Sequence, residues 1–216
     1  MIQAAIFDMD GLLVDSEPFW QDAQIAIFGE LGMNVTREDT IATTGIRIDQ
    51  IVRHYYNTRG WEGPSCDDVC ERITLKVIKL VSEHKPMMPG VMHALNLCKQ
   101  ANLRIALASS SPMRLIQATL DALDLSSWFE QCHSAEHLKY GKPHPEVYLN
   151  AAESLGIDPQ RCVAFEDSFA GLMAAKSAQM KAIVVPEAHV AGQERWVISD
   201  VKLTALNELT IDHLIK

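Results

Sequence analysis

The sequence lacks several features that would place it in a special class of proteins. It has no basic tract, and its formal net charge is −9 at pH 7, which argues against a nucleic-acid partner. It contains no apolar run of membrane-spanning length. The first predicted strand begins at Ile2, which leaves no room for a signal peptide. We therefore expect a cytoplasmic protein without a membrane partner.

Cysteine is also scarce, because the chain has only five, an odd number. Cys66 and Cys70 are too far apart for a zinc or redox motif. We expect all five cysteines to be reduced thiols. The chain has no internal repeat and no low-complexity tract. Its 216 residues are 48% apolar and 22% charged, so it can bury one good core and leaves room for a smaller second domain.

The hydrophobic pattern changes sharply after the first few residues. The run Ala4–Phe7 is apolar without alternation, which is typical of a strand buried on both faces of a parallel sheet. Residues 16–83 then have helical spacing throughout, with helix-start signals at Thr36 and Ser65. This segment is closed by Pro86 and the Pro89-Gly90 pair. We predict an all-α cap domain over residues 16–83.

The second half of the chain alternates between strand and helix patterns. Strands are predicted at 103–108, 129–133, 162–165 and 182–185, and helices at 91–100, 113–123, 145–155 and 169–178. This alternation predicts an α/β fold with a Rossmann-like, doubly wound parallel sheet. The first strand must join that sheet, so the core comprises 1–15 and 84–216. The cap is inserted after strand one.

The turn after the first strand carries two carboxylates, in Asp8-Met9-Asp10-Gly11. Asp8 and Asp10 repel each other and are poorly hydrated at the end of a buried strand. A hard cation such as Mg²⁺ would offset this cost. A calcium loop is excluded, because apolar residues stand at Leu12, Leu13 and Val14, where such a loop needs ligands. An ordinary polar turn remains open on this motif alone.

Polar groups also follow two other predicted strands. Ser109-Ser110-Ser111 follows one, and Glu166-Asp167 follows another, while Lys142 precedes a helix. Separately, a serine run is usually loop or cap, an acidic pair favours a helix N-terminus, and a lone lysine is usually solvated. However, the carboxyl ends of parallel strands share one edge, so these groups converge. Together they indicate a site for a metal-bound phosphate.

These motifs resemble the haloacid-dehalogenase-like (HAD) phosphatases. Asp8-Met9-Asp10-Gly11, Ser109, Lys142 and Glu166-Asp167 match the four motifs of that superfamily in order and context. The helical segment is similar to the cap of its first subclass. More narrowly, the segments 15–20, 107–112 and 142–148 resemble the 2-deoxyglucose-6-phosphate and hexitol-phosphate phosphatases. The β-phosphoglucomutases are close relatives.

The resemblance implies a two-step phosphoryl transfer. Asp8 would be the nucleophile that forms an aspartyl-phosphate. Asp10 would protonate the leaving sugar oxygen and then deprotonate the hydrolytic water. Ser109, Ser110 and Lys142 would bind the oxygens of the transferring phosphate.

The resemblance also implies a Mg²⁺ ion. Its ligands would be Asp8, the main-chain carbonyl of Asp10 and Asp167, with Glu166 ligating directly or through water. Such an ion offsets the repulsion between a carboxylate nucleophile and an incoming phosphate.

The cap should choose the substrate and exclude water. Thr44, Gly45 and Arg47 lie between two predicted cap helices and are candidate substrate contacts, but a plain turn with a solvated arginine also fits. Trp20 could line the pocket or belong to the cap core. The β-phosphoglucomutases usually carry a cap histidine at the position of Trp20, and their cap arginine has no exact counterpart near Arg47. Both differences weaken a mutase interpretation.

The leading hypothesis is therefore a monomeric, Mg²⁺-dependent phosphatase of small phosphorylated sugars, such as 2-deoxyglucose 6-phosphate, hexitol phosphates or hexose phosphates. The alternative is a β-phosphoglucomutase-like phosphomutase, which returns the phosphoryl group to sugar. A non-catalytic phosphosugar-binding protein is a third hypothesis, which the intact Asp8 and Asp10 disfavour.

Overall fold

The computed structural model describes residues 1–215, which form one parallel β-sheet with helices on both faces. The strands are β1 (Ala4–Phe7), β2 (Arg104–Ser109), β3 (Gln131–Ser134), β4 (Cys162–Glu166), β5 (Lys181–Val184) and β6 (Val201–Lys202). Their spatial order is β3-β2-β1-β4-β5-β6, and every neighbouring pair is parallel. The predicted α/β sheet is confirmed, with β1 at its centre.

Helices connect the strands and also form one large insertion. The α-helices within the described residues are α1 (Glu17–Glu30), α2 (Arg37–Ile41), α3 (Ile48–Thr58), α4 (Cys66–His84), α5 (Val91–Gln100), α6 (Met113–Ala122), α7 (Glu146–Ser154), α8 (Phe169–Ser177) and α9 (Ile211–Ile215). None of the helices in this part of the chain is long and apolar enough to cross a membrane.

The helices α1 to α4 lie between β1 and α5, and we call residues 17–84 the helical insertion. Local sequence signals set its boundaries. The side chains of Thr36 and Ser65 each cap a helix by accepting a hydrogen bond from the backbone N–H three residues on. In turn, the carboxylates of Asp39 and Asp68 accept a hydrogen bond from the backbone N–H of the cap residue. Gly32 ends α1 with a positive φ of 76°. The predicted helices are confirmed, and the division into core and cap domains stays a prediction.

The sheet separates two apolar layers, and β1 contributes to both. Ala5 and Phe7 pack into the layer that continues into the helical insertion, while Ala4 and Ile6 pack into the layer under α7 and α8. Phe7 also stacks on a β4 phenylalanine, Phe165, with ring centroids 4.3 Å apart. Burial on both faces explains why the β1 sequence is apolar without alternation. It also fixes the position of the turn that follows.

The structure differs from the sequence predictions by one or two residues at several element ends and in the segment after Val185. Pro145 is the N-cap of α7 and not its first helical residue, because the helix begins at Glu146. The segment after Val185 adds β6 and α9, which the sequence did not predict, and both elements are too short to show a period. The five cysteines are free thiols, as expected.

Candidate active site

The candidate site lies at the carboxyl edge of the sheet, where β1, β2 and β4 end together. Asp8 follows β1, Ser109 is the last residue of β2, and Glu166 is the last of β4. The chain turns after Asp10 at Gly11, whose φ is 73°. A Cβ atom at Gly11 would lie only 2.2 Å from Oδ2 of Asp167. The turn therefore needs glycine both for its backbone conformation and for the close approach of Asp167.

A buried lysine links two of these carboxylates. Nζ of Lys142 lies 2.8 Å from Oδ1 of Asp8 and 2.6 Å from Oε1 of Glu166, and its side chain is only 3% exposed. Its pKa is raised, because the attraction of the two carboxylates outweighs the lowering effect of burial. Lys142 is therefore a permanent positive charge directly beside Asp8.

Glu166 is held at both of its oxygens. Oε1 also accepts a hydrogen bond from the Tyr148 hydroxyl at 2.7 Å, and Oε2 accepts bonds from the backbone N–H and hydroxyl of Ser168 at 3.1 and 2.9 Å. The carboxylate is wholly buried, and a Cβ at Gly171 would overlap it. This arrangement fixes Glu166, and Glu166 in turn fixes Lys142.

Burial places a high cost on the remaining negative charges. It raises the pKa of Asp8 to about 7, although Lys142 opposes the shift. Burial and the nearby charge of Glu166 also raise the pKa of Asp167 well above its usual value. Burial and Asp10 raise the pKa of Glu17, which lies at the start of α1, to about 8. Each of these carboxyl groups would ionise more readily beside an added cation.

The donor set fits a divalent metal ion. Asp8, Glu166 and Asp167 each offer a carboxylate oxygen, and these oxygens lie within 4.8 Å of one another. Oδ1 of Asp167 is buried and accepts no hydrogen bond within the described residues. An orphaned buried oxygen in an all-carboxylate cluster is typical of a site for a hard cation such as Mg²⁺.

Asp10 is surrounded by hydrogen-bond donors. The Ser16 hydroxyl and Nε1 of Trp20 donate to Oδ1 at 2.5 and 3.1 Å. The Ser111 hydroxyl donates to Oδ2 at 2.6 Å, and the Ser109 hydroxyl lies 3.5 Å from the same oxygen. These donors come from the loop before α1, the helical insertion, β2 and the loop after β2. They hold the Asp10 carboxylate in one orientation.

The helical insertion closes a cavity over these groups. The core side of the cavity is lined by Asp8, Asp10, Ser109, Ser110, Ser111, Pro112, Lys142, Asp167 and Ser168. The insertion side is lined by Glu17, Trp20, Gln24, Thr40, Thr43, Thr44, Gly45, Ile46, Arg47, Ile48 and Ile51. All the residues predicted for the site thus line this one cavity, except Glu166. Glu166 does not line the cavity but contacts Lys142, which does.

Arg47 lines this cavity, but its guanidinium donates its hydrogen bonds to Asp49 and to backbone carbonyls of the core. Nη1 donates to the carbonyls of Ala135 and Leu138 at 2.8 and 2.6 Å, and Nε and Nη2 donate to the Asp49 carboxylate at 2.9 and 2.8 Å. The side chain is only 10% exposed, so it is not the solvated arginine of the alternative interpretation. Arg47 joins the helical insertion to the core loop that precedes Lys142.

The other residues predicted in the helical insertion are placed as follows. Trp20 both lines the cavity and packs against the apolar core. The Thr44 hydroxyl lies 3.3 Å from Oε2 of Glu17. Gly45 lines the cavity with a φ of 78°. Substrate contact by these residues stays a prediction.

Sequence reasoning missed several residues of the site. Ser16, Ser111 and Tyr148 lie within the segments 15–20, 107–112 and 142–148. No sequence pattern marks them as hydrogen-bond partners of Asp10 or Glu166. Glu17 and Gln24 were also missed. A signal did exist for these two, because positions 17, 20 and 24 share one face of a helix.

The chain matches known proteins over most of its length. Residues 2–179 match the model of the haloacid dehalogenase-like hydrolases. Hexitol phosphatase B of Escherichia coli (strain K12) is 46% identical over 215 residues, which is 99% of this chain and 97% of that protein.

Solved structures confirm the fold. The β-phosphoglucomutase from Clostridium difficile superposes with a TM-score of 0.86 at 26% identity and covers 99% of this chain and 96% of its own. CbbY from Rhodobacter sphaeroides in complex with xylulose-(1,5)bisphosphate gives a TM-score of 0.88 at 26% identity and covers 99% of both chains. The similar structures therefore include a mutase, whereas the relative with the higher sequence identity is named a phosphatase.

Proposed function

Because the chain belongs to the haloacid dehalogenase-like hydrolase family and is 46% identical to a hexitol phosphatase, we propose that it is a phosphatase that hydrolyses hexitol phosphates and related small sugar phosphates through an aspartyl-phosphate on Asp8. The observation that carries the mechanism is the pair of carboxylates in one cavity. Asp8 lies beside the Lys142 ammonium, and Asp10 is held by Ser16, Trp20 and Ser111. Their different surroundings suit two different roles.

In the first step an oxygen of Asp8 attacks phosphorus, and the bond between phosphorus and the sugar oxygen breaks. Asp10 gives its proton to that oxygen, which leaves as an alcohol. Lys142 offsets negative charge on the transferring oxygens, and the Ser109 hydroxyl donates to one of them. A lysine–phosphate pair at about 4 Å is worth roughly 4 kcal/mol at an effective dielectric of about 20, before desolvation.

In the second step water attacks phosphorus, and the bond between Asp8 and phosphorus breaks. Asp10 now takes the proton of that water, so it ends the cycle protonated as it began. Asp8 cannot serve as this base, because it is esterified at that stage. Ser16, Trp20 and Ser111 keep the Asp10 carboxylate pointed into the cavity in both steps.

Asp8, Asp167 and the main-chain carbonyl of Asp10 would hold Mg²⁺, with Glu166 behind them. When bound, the ion supplies positive charge that reduces the repulsion between Asp8 and a phosphate dianion. The fit rests on the orphaned Oδ1 of Asp167 and the raised pKa values of Asp8 and Asp167. Both carboxylate oxygens of Glu166 already accept hydrogen bonds from Lys142, Tyr148 and Ser168. This favours a role in positioning Lys142 over direct coordination of the ion.

We further infer that the helical insertion acts as the cap that selects the substrate. It supplies more than half of the residues around the cavity, including Thr44, Gly45 and Trp20. Closure of such a cap excludes bulk water until the leaving group has departed.

The test is to trap the phosphoryl group during turnover of a labelled sugar phosphate with Mg²⁺. Rapid acid quench and peptide mapping should place the label on Asp8. Asp8→Asn should fold normally and carry no label, because a neutral amide of nearly the same shape is not a nucleophile. A label on serine or histidine would refute the mechanism.

The phosphomutase alternative is tested by the acceptor of the phosphoryl group. We expect glucose 1-phosphate with a glucose bisphosphate primer to give at most free phosphate and glucose. Isomerised sugar phosphate without free phosphate would instead identify a mutase. Tight binding of sugar phosphates without any release of phosphate would favour the non-catalytic hypothesis.

A further inference from the structure

Gln24 is a buried polar side chain that the mechanism above does not use. It lies in the middle of α1, is only 4% exposed, and lines the cavity over Asp8 and Asp10. Its Oε1 accepts no hydrogen bond from the described residues. A buried carbonyl oxygen without a donor is costly, and such atoms are rare in native proteins. This oxygen is therefore positioned for a donor that enters the cavity.

The position of Gln24 on α1 defines which part of a ligand it would meet. Glu17, Trp20 and Gln24 follow one another at helical spacing and all line the cavity. Trp20 touches Asp10, which serves the phosphate end. Gln24 lies four residues further along the helix, or about 6 Å along its axis. It faces the part of a substrate that is remote from the phosphate.

The surroundings of Gln24 favour an uncharged hydroxyl as that donor. Ile48 and Ile51 are buried apolar neighbours in the cavity wall. The hydroxyls of Thr40 and Thr43 already donate to backbone carbonyls. Among the described residues that line the cavity, the cations are Lys142 and Arg47, and Arg47 is hydrogen-bonded to Asp49 and to a carbonyl of the core. A second phosphate would find no available positive charge at this end.

We propose that Oε1 of Gln24 accepts a hydrogen bond from a hydroxyl of the substrate's carbon chain at the end remote from the phosphate. Gln24 thereby selects monophosphates of polyols and sugars that are long enough to present this hydroxyl. The inference rests on the proposed function and assigns a substrate-length determinant to it. A site built around a hydroxyl discriminates strongly against analogues that lack it, because its polar atom is then left unpaired.

The experiment measures binding in a background that does not turn over. Asp8→Asn and the double variant Asp8→Asn/Gln24→Met are titrated calorimetrically, with Mg²⁺ present, with sorbitol 6-phosphate, glycerol 3-phosphate and inorganic phosphate. Methionine keeps the length of the glutamine side chain and removes its polar atoms. We expect about tenfold weaker binding of sorbitol 6-phosphate by the double variant, as for one lost hydrogen bond. Glycerol 3-phosphate and inorganic phosphate lack the distal hydroxyls of the hexitol, so their affinities should change less than twofold.

The matched control is Gln21→Met in the same background. Gln21 lies on the same helix, does not line the cavity over Asp8 and Asp10, and accepts a hydrogen bond from Arg37, so all three affinities should be kept. Equal weakening of all three ligands in Asp8→Asn/Gln24→Met would show a merely structural role and overturn the inference. So would unchanged affinity for sorbitol 6-phosphate. If no phosphate compound bound, inorganic phosphate included, the proposed function would fail together with this inference.

Discussion

At the scale of single residues, the site assigns different chemistry to two aspartates two positions apart. Asp8 is buried beside Lys142, and its pKa is raised to about 7 by burial. Asp10 is only partly buried and receives hydrogen bonds from Ser16, Trp20 and Ser111. These surroundings support the proposed roles of Asp8 as nucleophile and of Asp10 as proton donor and acceptor.

Asp10→Asn should separate these roles. The variant should still bind Mg²⁺ and phosphate, because the proposed metal ligand at this position is a main-chain carbonyl and Lys142 is untouched. It should lose most turnover of sugar phosphates, whose alkoxide leaving group needs a proton. With p-nitrophenyl phosphate the first step needs no acid, so we expect a burst of about one p-nitrophenolate per enzyme, followed by a slow phase. Stopped-flow absorbance measures both phases.

The matched control for this variant is Asp15→Asn. Asp15 belongs to the same loop but is exposed to solvent, and its substitution should leave both substrates unaffected. Near wild-type turnover of sugar phosphates by Asp10→Asn would make Asp10 a structural residue.

At the scale of secondary-structure elements, polar contacts join the helical insertion to the core, and those of Arg47 are among them. Arg47 stands at the N-cap of α3 and donates to two carbonyls of the core loop that follows β3. Its aliphatic stem packs over Gly141, where a Cβ would lie 2.7 Å from Cδ of Arg47. The contact joins the insertion directly to the loop that positions Lys142.

Arg47→Met should weaken this contact and leave the fold intact. We expect the KM for sugar phosphates to rise about tenfold, because charge-assisted hydrogen bonds that hold the closed form are lost. The kcat/KM for p-nitrophenyl phosphate should fall less, since that substrate depends less on the cap. Limited proteolysis should also cut faster near residues 42–46. Steady-state kinetics and mass spectrometry of the fragments measure these effects.

Arg53→Met provides the control, because Arg53 lies on the exposed face of the same helix and its loss should change neither KM nor cleavage. Unaltered KM and proteolysis in Arg47→Met would show that these hydrogen bonds do not hold the cap closed.

At the scale of the whole molecule, the net charge of −9 repels the anionic substrate at long range, so attraction must come from the site itself.

The buried carboxylates make the stability of the metal-free protein sensitive to pH. Asp8 has a pKa near 3.8 in its ordinary state and about 7 in the fold, and that of Glu17 rises from 4.5 to about 8, both through burial. The folded state holds these protons more tightly than the unfolded chain. Metal-free stability should therefore fall as pH rises from about 4 to about 8.

Mg²⁺ should reverse this loss. At a concentration about 100 times its Kd, a ligand stabilises the fold by roughly 2.7 kcal/mol, which raises the Tm of a chain of this size by about 5–10 °C. We expect this increase at pH 8 and a much smaller one at pH 5, where Asp8 and Asp167 keep their protons because their pKa values are raised. Thermal unfolding with EDTA or Mg²⁺ at each pH measures it.

Asp167→Asn should abolish the Mg²⁺-dependent increase, because it removes an anionic ligand. Glu17→Gln should keep the increase, since Glu17 is outside the metal cluster, and should flatten the metal-free pH dependence. An equal Tm with EDTA and Mg²⁺ at pH 8 would contradict the metal assignment.

The sequence by itself determined the fold class, the helices up to α8 and the chemistry-bearing positions after β1, β2 and β4. Its information is local in each case: apolar runs, helix caps such as Ser65 with Asp68, and polar residues at strand ends. The topology rule for parallel sheets then brings the strand ends together without any further knowledge of packing.

Only the tertiary structure decided how the side chains at this edge are paired. The Ser111 hydroxyl meets Asp10 across 101 positions of sequence, and Tyr148 meets Glu166 across 18. The acceptors of Arg47 are backbone carbonyls 88 and 91 positions away. Every residue carries such a carbonyl, so no residue type marks these acceptors in the sequence. Gln24 likewise becomes informative only when packing buries its carbonyl oxygen without a donor. Pairing and burial are set by the packed chain as a whole, and local patterns do not encode them.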